Sequence, residues 1–442
     1  MIITNLTERM LHEVLMNKIE DQHDKEMENR ERLLDYYEGI NLEKDIEKFF
    51  DSDSLSSVPP MYINLVRNII SRRTLVYQDQ PARMNDRYNE IIGDFDSVMK
   101  QFEQLVYLLG TEGLYTFWDE EAKILRYRPI HFFTPYFLPN EDEPFMVMWQ
   151  AESQYMARTE EAQYMVWSRD TADMEGKHFM ISQSGKITSL VPDDRNPYGD
   201  IIPFNIGHRH AYCRDFFREG ASDLVNGMRN VNIMLTEMSL SGRFALGQPT
   251  FTGLDTEARI QMGQDKALVL PEGSDFKYVS PNADINGMME SVRFAIDSIA
   301  QANNVKINWT NNQAESGLSK KMGQLDLMDA LRSDTEQIYR PFEKKQFDIA
   351  RRVVEVSGGI QLGDQFSIDM SEREIPMSQD EMIKYYDWAF QNNLESRQSY
   401  LRKHNPDLNE DEINGIVDRL DQENPQEATG NSLLDRLENI GG

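Results

Sequence analysis

The chain has 442 residues, of which 40% are apolar and 10% aromatic, enough for two or three folded domains with a sizeable core. Its single cysteine, Cys213, excludes an intramolecular disulfide framework and fits a reducing compartment, and the lack of any run of about 18 apolar residues predicts no membrane span. Its 46 basic and 75 acidic residues give a formal charge of −29, which opposes tight clamping of nucleic acid but permits either an acidic wall past which DNA slides or an ordinary acidic surface.

The N-terminal part is predicted to be helical. Carboxylates are interleaved with apolar residues from the start, so the sequence indicates a helix over residues 7–38 rather than a signal peptide. Asn5 and Glu8 have the spacing of a capping box at its start. Apolar spacing then predicts a second helix that ends before Pro81 and a third over about 91–110.

Residues 113 to about 204 have the pattern of β-structure. One hairpin is predicted to turn at Asp119-Glu120 and another at Ser184-Gly185. The sequences PFMVMWQAE and AQYMVWSRD lie between them and are typical of short strands. We therefore expect a mainly β subdomain inserted between helical parts.

Two long amphipathic segments follow, at residues 220–246 and 284–305. Each carries one narrow apolar stripe with spacings of three and four, which is typical of a helix that packs along its length against neighbours. At about 1.5 Å per residue, the helices would be roughly 40 and 33 Å long. We expect the stripes to pack within or between subunits, or, as the simpler alternative, to form a helical hairpin inside one globular core. The stripe residues are Leu224, Met228, Val231 and Leu235 on the first helix and Met289, Val292, Ile296 and Ile299 on the second.

The insert between these helices, residues 247–283, is rich in glycine, proline and β-type residues. Its sequences PTFTG, KALVLP and FKYVS are predicted strands. A sheet of two or three strands is marginal alone, so we expect its exposed edges to pair with adjacent copies of the chain.

A polar segment over residues 306–317, KINWTNNQAESG, leads into a third long helix. This helix is predicted over residues 319–356 with a kink at Pro341. A pair of glycines then ends it, and two capping boxes farther on predict a small helical bundle over 376–424. The last residues, 425–442, are predicted to form a mobile tail.

Several short sequences occur in a fixed order along the chain. They are YYEG at residues 36–39, Asn64 followed by a helix ending VYQDQP, NPYGDIIPF at 196–204, ALVLPEG at 267–273, Ser316-Gly317 before a long helix, and NNLESRQSYLRKHNPDLNEDEINGIVDRLDQEN. Their order, over roughly residues 30–424, resembles the portal proteins, or head–tail connectors, of tailed double-stranded DNA bacteriophages. One departure is the sequence LSKK after Ser316-Gly317, where the family usually has small apolar residues.

The resemblance implies an α+β fold, mainly α, with a β-containing wing, long stem helices, a small α/β clip, a tunnel loop and a helical C-terminal crown. On this chain the implied segments are a wing over 1–219, a first stem helix over 220–246, a clip over 247–283, a second stem helix over 284–305, a tunnel loop over 306–317, a long kinked wing helix with a return strand over 318–375, a crown over 376–424 and a tail over 425–442.

The resemblance also implies a function. Portal proteins form a homo-oligomeric ring, usually of twelve subunits, at one vertex of the capsid, after assembly in the host cytoplasm. Double-stranded DNA passes through the ring without sequence specificity during packaging and ejection. The implied partners are the terminase, the major capsid and scaffolding proteins, and the tail adaptor, with no membrane.

The resemblance selects two groups of site residues. Tunnel-loop amides offer neutral hydrogen-bonding groups that touch phosphates without holding them. Trp309 would contact DNA or lie buried at an interface, and the two lysines that follow would contact phosphate or form a solvated helix start. The channel group is Lys306, Asn308, Trp309, Asn311, Asn312, Gln313, Lys320 and Lys321, and the clip group, for docking the terminase and adaptor, is Arg259, Gln264, Lys266 and Lys277.

Motifs for catalysis are missing from the sequence. It contains no GxxxxGK[ST] phosphate loop and no GxSxG nucleophile elbow, so we expect no catalytic residue, no metal and no cofactor. His208 and His210, near Cys213, form the closest histidine pair and leave a metal-dependent enzyme as an alternative. A further alternative is another head–tail ring component that never contacts DNA.

Overall fold

The structure is a computed structural model, and its chain is α+β, as predicted. It divides into two compact units, Met1–Ala314 with Met322–Arg373 and Glu315–Lys321 with Glu374–Gly442. Among the described helices, none is both long and apolar enough to cross a membrane. The described residues are 13, 15–16, 25–50, 59–151, 162–172, 174–210, 213–245, 248–252, 275–279, 284–307, 317–370, 386, 388–390, 396–404 and 410–423.

The first unit begins with short helices that surround one long one. In chain order they are α1 (Lys25–Glu38), α2 (Leu42–Glu47), α3 (Val66–Arg73), α4 (Asp86–Ile91) and α5 (Phe95–Leu109), with a short strand β1 (Ala82–Arg83) before α4. The helix predicted over about 91–110 is α5, which begins four residues later than predicted because Gly93 adopts a left-handed φ of 64° that an α-helix cannot contain. The capping residues predicted for the first helix lie outside the described part.

The second predicted helix is shorter than expected. Its first residues are extended, because two buried side chains of a later helix bind their backbone. Thr236 Oγ1 accepts a hydrogen bond from the Met61 amide at 3.0 Å, and Asn232 Oδ1 accepts one from the Ile63 amide at 3.0 Å. A tertiary contact therefore overrides the apolar periodicity of this segment, and α3 starts at Val66.

Two antiparallel sheets follow α5. Their strands are β2 (Thr111–Asp119), β3 (Ile124–Ile130), β4 (Phe133–Tyr136), β5 (Met146–Gln150), β6 (Gln163–Ser168), β7 (His178–Ser182), β8 (Ile187–Ser189) and β9 (Phe204–His208). One sheet has the order β3-β2-β9 and the other the order β4-β5-β6-β7-β8. The two predicted hairpins are confirmed: β2 pairs with β3, and β7 with β8.

The chain then forms two long helices, with a two-stranded ribbon between them. They are α6 (Ser222–Ala245), β10 (Gln248–Thr252), β11 (Asp275–Val279) and α7 (Ile285–Ala302). The long third helix consists of α8 (Gly317–Asp334), a π-turn at Thr335–Tyr339, α9 (Arg340–Val353) and a second π-turn at Val354–Gly358. Pro341 has no amide hydrogen, and the helix widens immediately before it, with the Arg340 amide bonded to the Thr335 carbonyl. Strand β12 (Ile368–Asp369) pairs with β1.

The core of the first unit has three layers. Helices α5 and α9 meet at Phe102 and Phe342, whose ring centroids are 4.9 Å apart. Both helices pack on the β3-β2-β9 sheet, where Asn205 donates to the Phe342 carbonyl at 3.1 Å. On the opposite face of β9, Phe204 stacks on Trp149 of the five-stranded sheet, with ring centroids 5.1 Å apart. The alternation of β9 thus joins helices on one side to a sheet on the other.

Charged side chains are buried within this core. Arg83 donates to Glu343 at 3.0 and 2.6 Å and to Asp96 at 2.6 Å. These bonds connect strand β1 to α9 and α5. Arg30 of α1 is fully buried, donates to the carbonyls of His131 and Thr111 at 2.8 Å each, and lies 3.4 Å from Glu112. Burial lowers the pKa of the Arg30 guanidinium, and Glu112 compensates part of that effect.

The second unit contains α10 (Arg397–His404) and α11 (Glu410–Glu423). Ser396 caps α10 by accepting a hydrogen bond from the Ser399 amide at 3.0 Å. Gln398 donates to Asn414 at 3.0 Å and joins the two helices. The predicted tail over 425–442 lies outside the described residues.

The Arg30 site gives a test of this packing. Arg30→Met should lower the free energy of unfolding by about 3 kcal/mol, because the buried Glu112 loses its guanidinium and keeps only His131, whose Nδ1 lies 2.7 Å from its other oxygen. The double variant with Glu112→Gln should lose less than the single one, as measured by urea unfolding. Lys48→Met, which removes an exposed lysine from Asp45, is the control and should change stability by about 0.5 kcal/mol or less. If Arg30→Met lost no more stability than Lys48→Met, the buried Arg30–Glu112 pair would not contribute to stability as described.

Candidate functional site

Helices α6 and α7, predicted as the stem helices, run antiparallel in close contact. A Cβ atom placed on Gly227 would lie 2.8 Å from Ile299 Cδ1, and one on Gly242 would lie 3.9 Å from Ile285 Cδ1. The contact therefore continues from one end of the pair to the other, because Gly227 and Gly242 are about four turns apart. At the far end, β10 and β11 pair antiparallel, with Gln248 opposite Val279.

The predicted stem residues occupy different environments in the single chain. Most of them share one core cluster, in which Leu235 and Ile299 are only half-buried. Met289 is 40% exposed, so it is not covered by α6 of the same chain. The buried members are Leu224, Met228, Val231, Val292 and Ile296.

The outer face of α7 is largely uncovered. Its buried residues are Val292, Ile296 and Ala300, all on the side of α6. Phe294 lies two residues from both Val292 and Ile296, which places it on the opposite side of the helix, and it is 75% exposed. Met288 is exposed as well, but it lies four residues before Val292 and therefore nearer the α6 side. On its own side Phe294 is flanked by the exposed polar residues Glu290 and Gln301, and we call this surface the Phe294 face.

The end of α7 has a defined geometry. Asn304 has a left-handed φ of 56°, its amide donates to the Gln301 carbonyl at 2.9 Å, and the Val305 amide donates to the Ala300 carbonyl at 2.8 Å. These two bonds form a Schellman motif, which ends a helix and sets the direction of the chain beyond it. Asn303 accepts a hydrogen bond from the Tyr107 hydroxyl at 2.7 Å and so fixes this end to α5. The cap thus determines where the predicted tunnel loop begins.

A polar cavity of about 200 Å³ lies beside this cap, and we call it the joint cavity. Arg73 donates to Asp334 across 2.8 Å. The Arg209 guanidinium lies 4.0 Å from the centroid of the Tyr107 ring, and that of Arg73 lies 5.3 Å from the same ring. Burial raises the pKa of Asp334, and Arg73 opposes that rise. The lining residues are Arg73, Val106, Tyr107, Arg209, His210, Ala302, Asn304, Asp334, Ile338 and Tyr339.

The predicted channel and clip residues fall mostly outside the described part of the chain. Lys306 is exposed, directly after the cap. Lys320 and Lys321 lie on the first turn of α8. Lys277 is exposed on β11, opposite Thr250. The residues that lie outside are Asn308, Trp309, Asn311, Asn312, Gln313, Arg259, Gln264 and Lys266.

The histidine pair does not form a metal site. His208 ends β9, and its Nδ1 lies 3.0 Å from the hydroxyl of Thr111. Its ring packs edge-on against Phe216, with centroids 5.2 Å apart. His210 instead lines the joint cavity. Among the described residues, no group of three or more histidine, cysteine or acidic side chains is placed to hold a metal ion. His208 therefore has a packing role here.

Comparison with known proteins identifies no family for this chain. No protein-family model matches the chain, and no curated protein matches it. One solved structure that aligns with it is a chain described as "Neck of empty GTA particle computed with C6 symmetry". The alignment covers 76% of this chain and 89% of that one, at 12% identity and a TM-score of 0.40. At these values the similarity assigns neither a fold nor a function.

The Schellman cap can be tested by substitution at Asn304. Asn304→Gly should keep or slightly raise stability, whereas Asn304→Val should lower it by about 1–2 kcal/mol, because a β-branched residue resists a left-handed φ. Gln301→Val in the preceding turn is the control, with an expected loss of about 0.5 kcal/mol. Thermal and urea unfolding would measure all three, and a loss for glycine as large as that for valine would rule out the cap.

His208 predicts a pH dependence. Burial lowers its pKa from 6.5 to about 4, so the unfolded chain binds a proton in this range that the folded chain does not. Its contribution to stability is complete above pH 6.5 and falls as the pH drops towards 4, by up to about 3 kcal/mol. His208→Gln should lose this part of the decline in urea unfolding between pH 7 and 4. Any constant effect of losing the Thr111 contact appears equally at pH 8, so a pH-independent difference between variant and wild type would contradict the prediction.

Proposed function

We propose that this chain is the subunit of a phage portal ring, a channel for double-stranded DNA at one vertex of the capsid. The observation that supports this most is the pair of long antiparallel helices with a β-ribbon at one end. It agrees with the portal-like order of short sequences over residues 30–424. Phe294 adds to this, because a large aromatic side chain that is 75% exposed on the outer side of α7 is unusual for the solvent face of a helix.

In the proposed ring, the ribbon belongs to the clip. A two-stranded ribbon is marginal alone, so strands of adjacent subunits would extend it. This end would dock the terminase during packaging and the tail adaptor afterwards, with the exposed Lys277 among the contact residues. The wing would contact the capsid and scaffolding proteins, and the ring would remain in the virion.

Charge suits passage rather than binding of DNA. Each subunit has a formal charge of −29, so a ring repels the phosphates of the duplex. The same charge makes the subunits repel one another, and apolar contacts between them must overcome that repulsion. The chain in this role guides DNA and catalyses no reaction.

The Phe294 face is the proposed contact between neighbouring stems. It points away from α6 of its own chain, and a neighbouring subunit would cover it in the ring. A contact between different faces of two copies repeats from subunit to subunit and closes into a ring. Burial of Phe294 would remove apolar surface from water and stabilise the assembly.

Electron microscopy of the purified full-length protein tests the proposal. Class averages down the symmetry axis should have close to twelve subunits and a hole wide enough for duplex DNA. Monomers or compact dimers at high protein concentration would count against a portal.

A single substitution makes the test specific to the stem. Phe294→Ser should reduce the fraction of rings in micrographs and in mass photometry by about tenfold or more, because one buried phenylalanine contributes about 1.5–3 kcal/mol per contact. Ile187→Ser is the matched control, since Ile187 is 46% exposed on edge strand β8 of the wing. Rings that persist in Phe294→Ser, or that vanish equally in the control, would remove the Phe294 face from the interface.

A further inference from the structure

The joint cavity contains a guanidinium with unused donors. Arg73 is buried, with 7% of its surface exposed, and its Nη2 donates to Asp334. Its Nη1 has no hydrogen-bond partner among the described residues. A buried donor without a partner is rare in folded proteins and indicates a bound water or ion.

A second guanidinium lies across the Tyr107 ring. Arg209 is half-buried, and within the described chain its hydrogen bond goes to the Gly220 carbonyl at 2.7 Å. One of its nitrogens is thus anchored while the others remain for a ligand. Two planar guanidiniums around one small cavity are the arrangement that binds the oxygens of phosphate and carboxylate groups.

The charge of the cavity is positive in a very negative chain. Two arginines face one carboxylate, that of Asp334, which leaves one net positive charge among the lining residues when His210 is neutral. The pKa of His210 is lowered, first by partial burial and then by Arg209, as expected beside a cationic site. Burial raises the pKa of the nearby Glu103 carboxyl to about 7, so this group carries only part of a negative charge at neutral pH.

The size and position of the cavity also fit an oxyanion. Its volume of about 200 Å³ is many times the roughly 10–15 Å³ that holds one water, which is ample for one tetrahedral phosphate group. His210 and Asn304 are exposed at its edge, so a ligand has access from solvent.

We infer that the joint cavity binds a phosphate group between Arg73 and Arg209. The group is either free inorganic phosphate or a phosphodiester of a nucleic-acid backbone. This inference does not depend on the proposed ring.

Calorimetric titration of the full-length protein with inorganic phosphate, at constant ionic strength set with chloride, tests the site. We expect saturable binding of one phosphate per chain. Arg209→Met should weaken it by about ten- to a hundredfold, because a charge-assisted hydrogen bond is lost. Asp334→Asn should strengthen it by about tenfold, because the competing negative charge is removed and Arg73 is released.

Arg195→Met is the matched control. Arg195 is exposed on the wing and lies 3.8 Å from Glu175, so its loss removes the same charge without changing the cavity and should alter phosphate affinity by less than about twofold. Near-ultraviolet circular dichroism checks that each variant is folded. If Arg209→Met fails that check, the gain expected in Asp334→Asn decides the question.

Three results would overturn the inference: no saturable binding above chloride, equal affinity in wild type and Arg209→Met, or acetate bound as tightly as phosphate. A short DNA duplex distinguishes the two sources. Displacement of phosphate by the duplex, lost in Arg209→Met, identifies a nucleic-acid phosphodiester, and saturable phosphate binding without displacement identifies the free ion. Failure of phosphate binding leaves the ring proposal untouched, because rings are observed by microscopy.

Discussion

Buried arginine–carboxylate pairs connect the N-terminal segment to later parts of the chain. They are Arg30 with Glu112, Arg73 with Asp334 and Arg83 with Glu343. A buried charge without its partner costs several kcal/mol, so each pair is stable only when both elements are in place. Two of the three carboxylates come from the long third helix. The N-terminal part of the first unit therefore requires the third helix for its packing, although some 260 residues separate Arg83 from Glu343.

Local features were predictable from sequence, and long-range partners were not. The hairpins at Asp119-Glu120 and Ser184-Gly185 follow from turn residues between alternating strands, and the structure contains both. The buried arginines gave no signal, because a chain with 75 acidic residues offers too many candidate partners for any one arginine. The break at Gly93 was missed because glycine within an apolar period is tolerated in many helices.

The candidate site was predictable only in part, for the same reason. The stripes on α6 and α7 come from spacing within one segment, so their buried side could be inferred, but Met289 depends on what covers the helix and could not. The joint cavity combines side chains from α3, α5, α7 and its cap, α8, the π-turn before α9 and the residue pair after β9. Of these residues, the sequence pointed only to His210, and only as a metal ligand. It did so because His208 and His210 form a recognisable pair, whereas nothing in the sequence marks Arg209 as a partner of His210.

The cap and the joint cavity meet at Asn304, and this has a mechanical consequence. Asn304 ends the helix before the predicted tunnel loop, and Asp334 ends the helix after it. Arg73 binds Asp334, and Asn303 binds Tyr107, whose ring also contacts Arg73 and Arg209. The ends of both helices are thus held by the same group of side chains. A ligand that adds bonds to these arginines would stiffen both anchors together, because packed side chains transmit a local constraint to the elements that carry them.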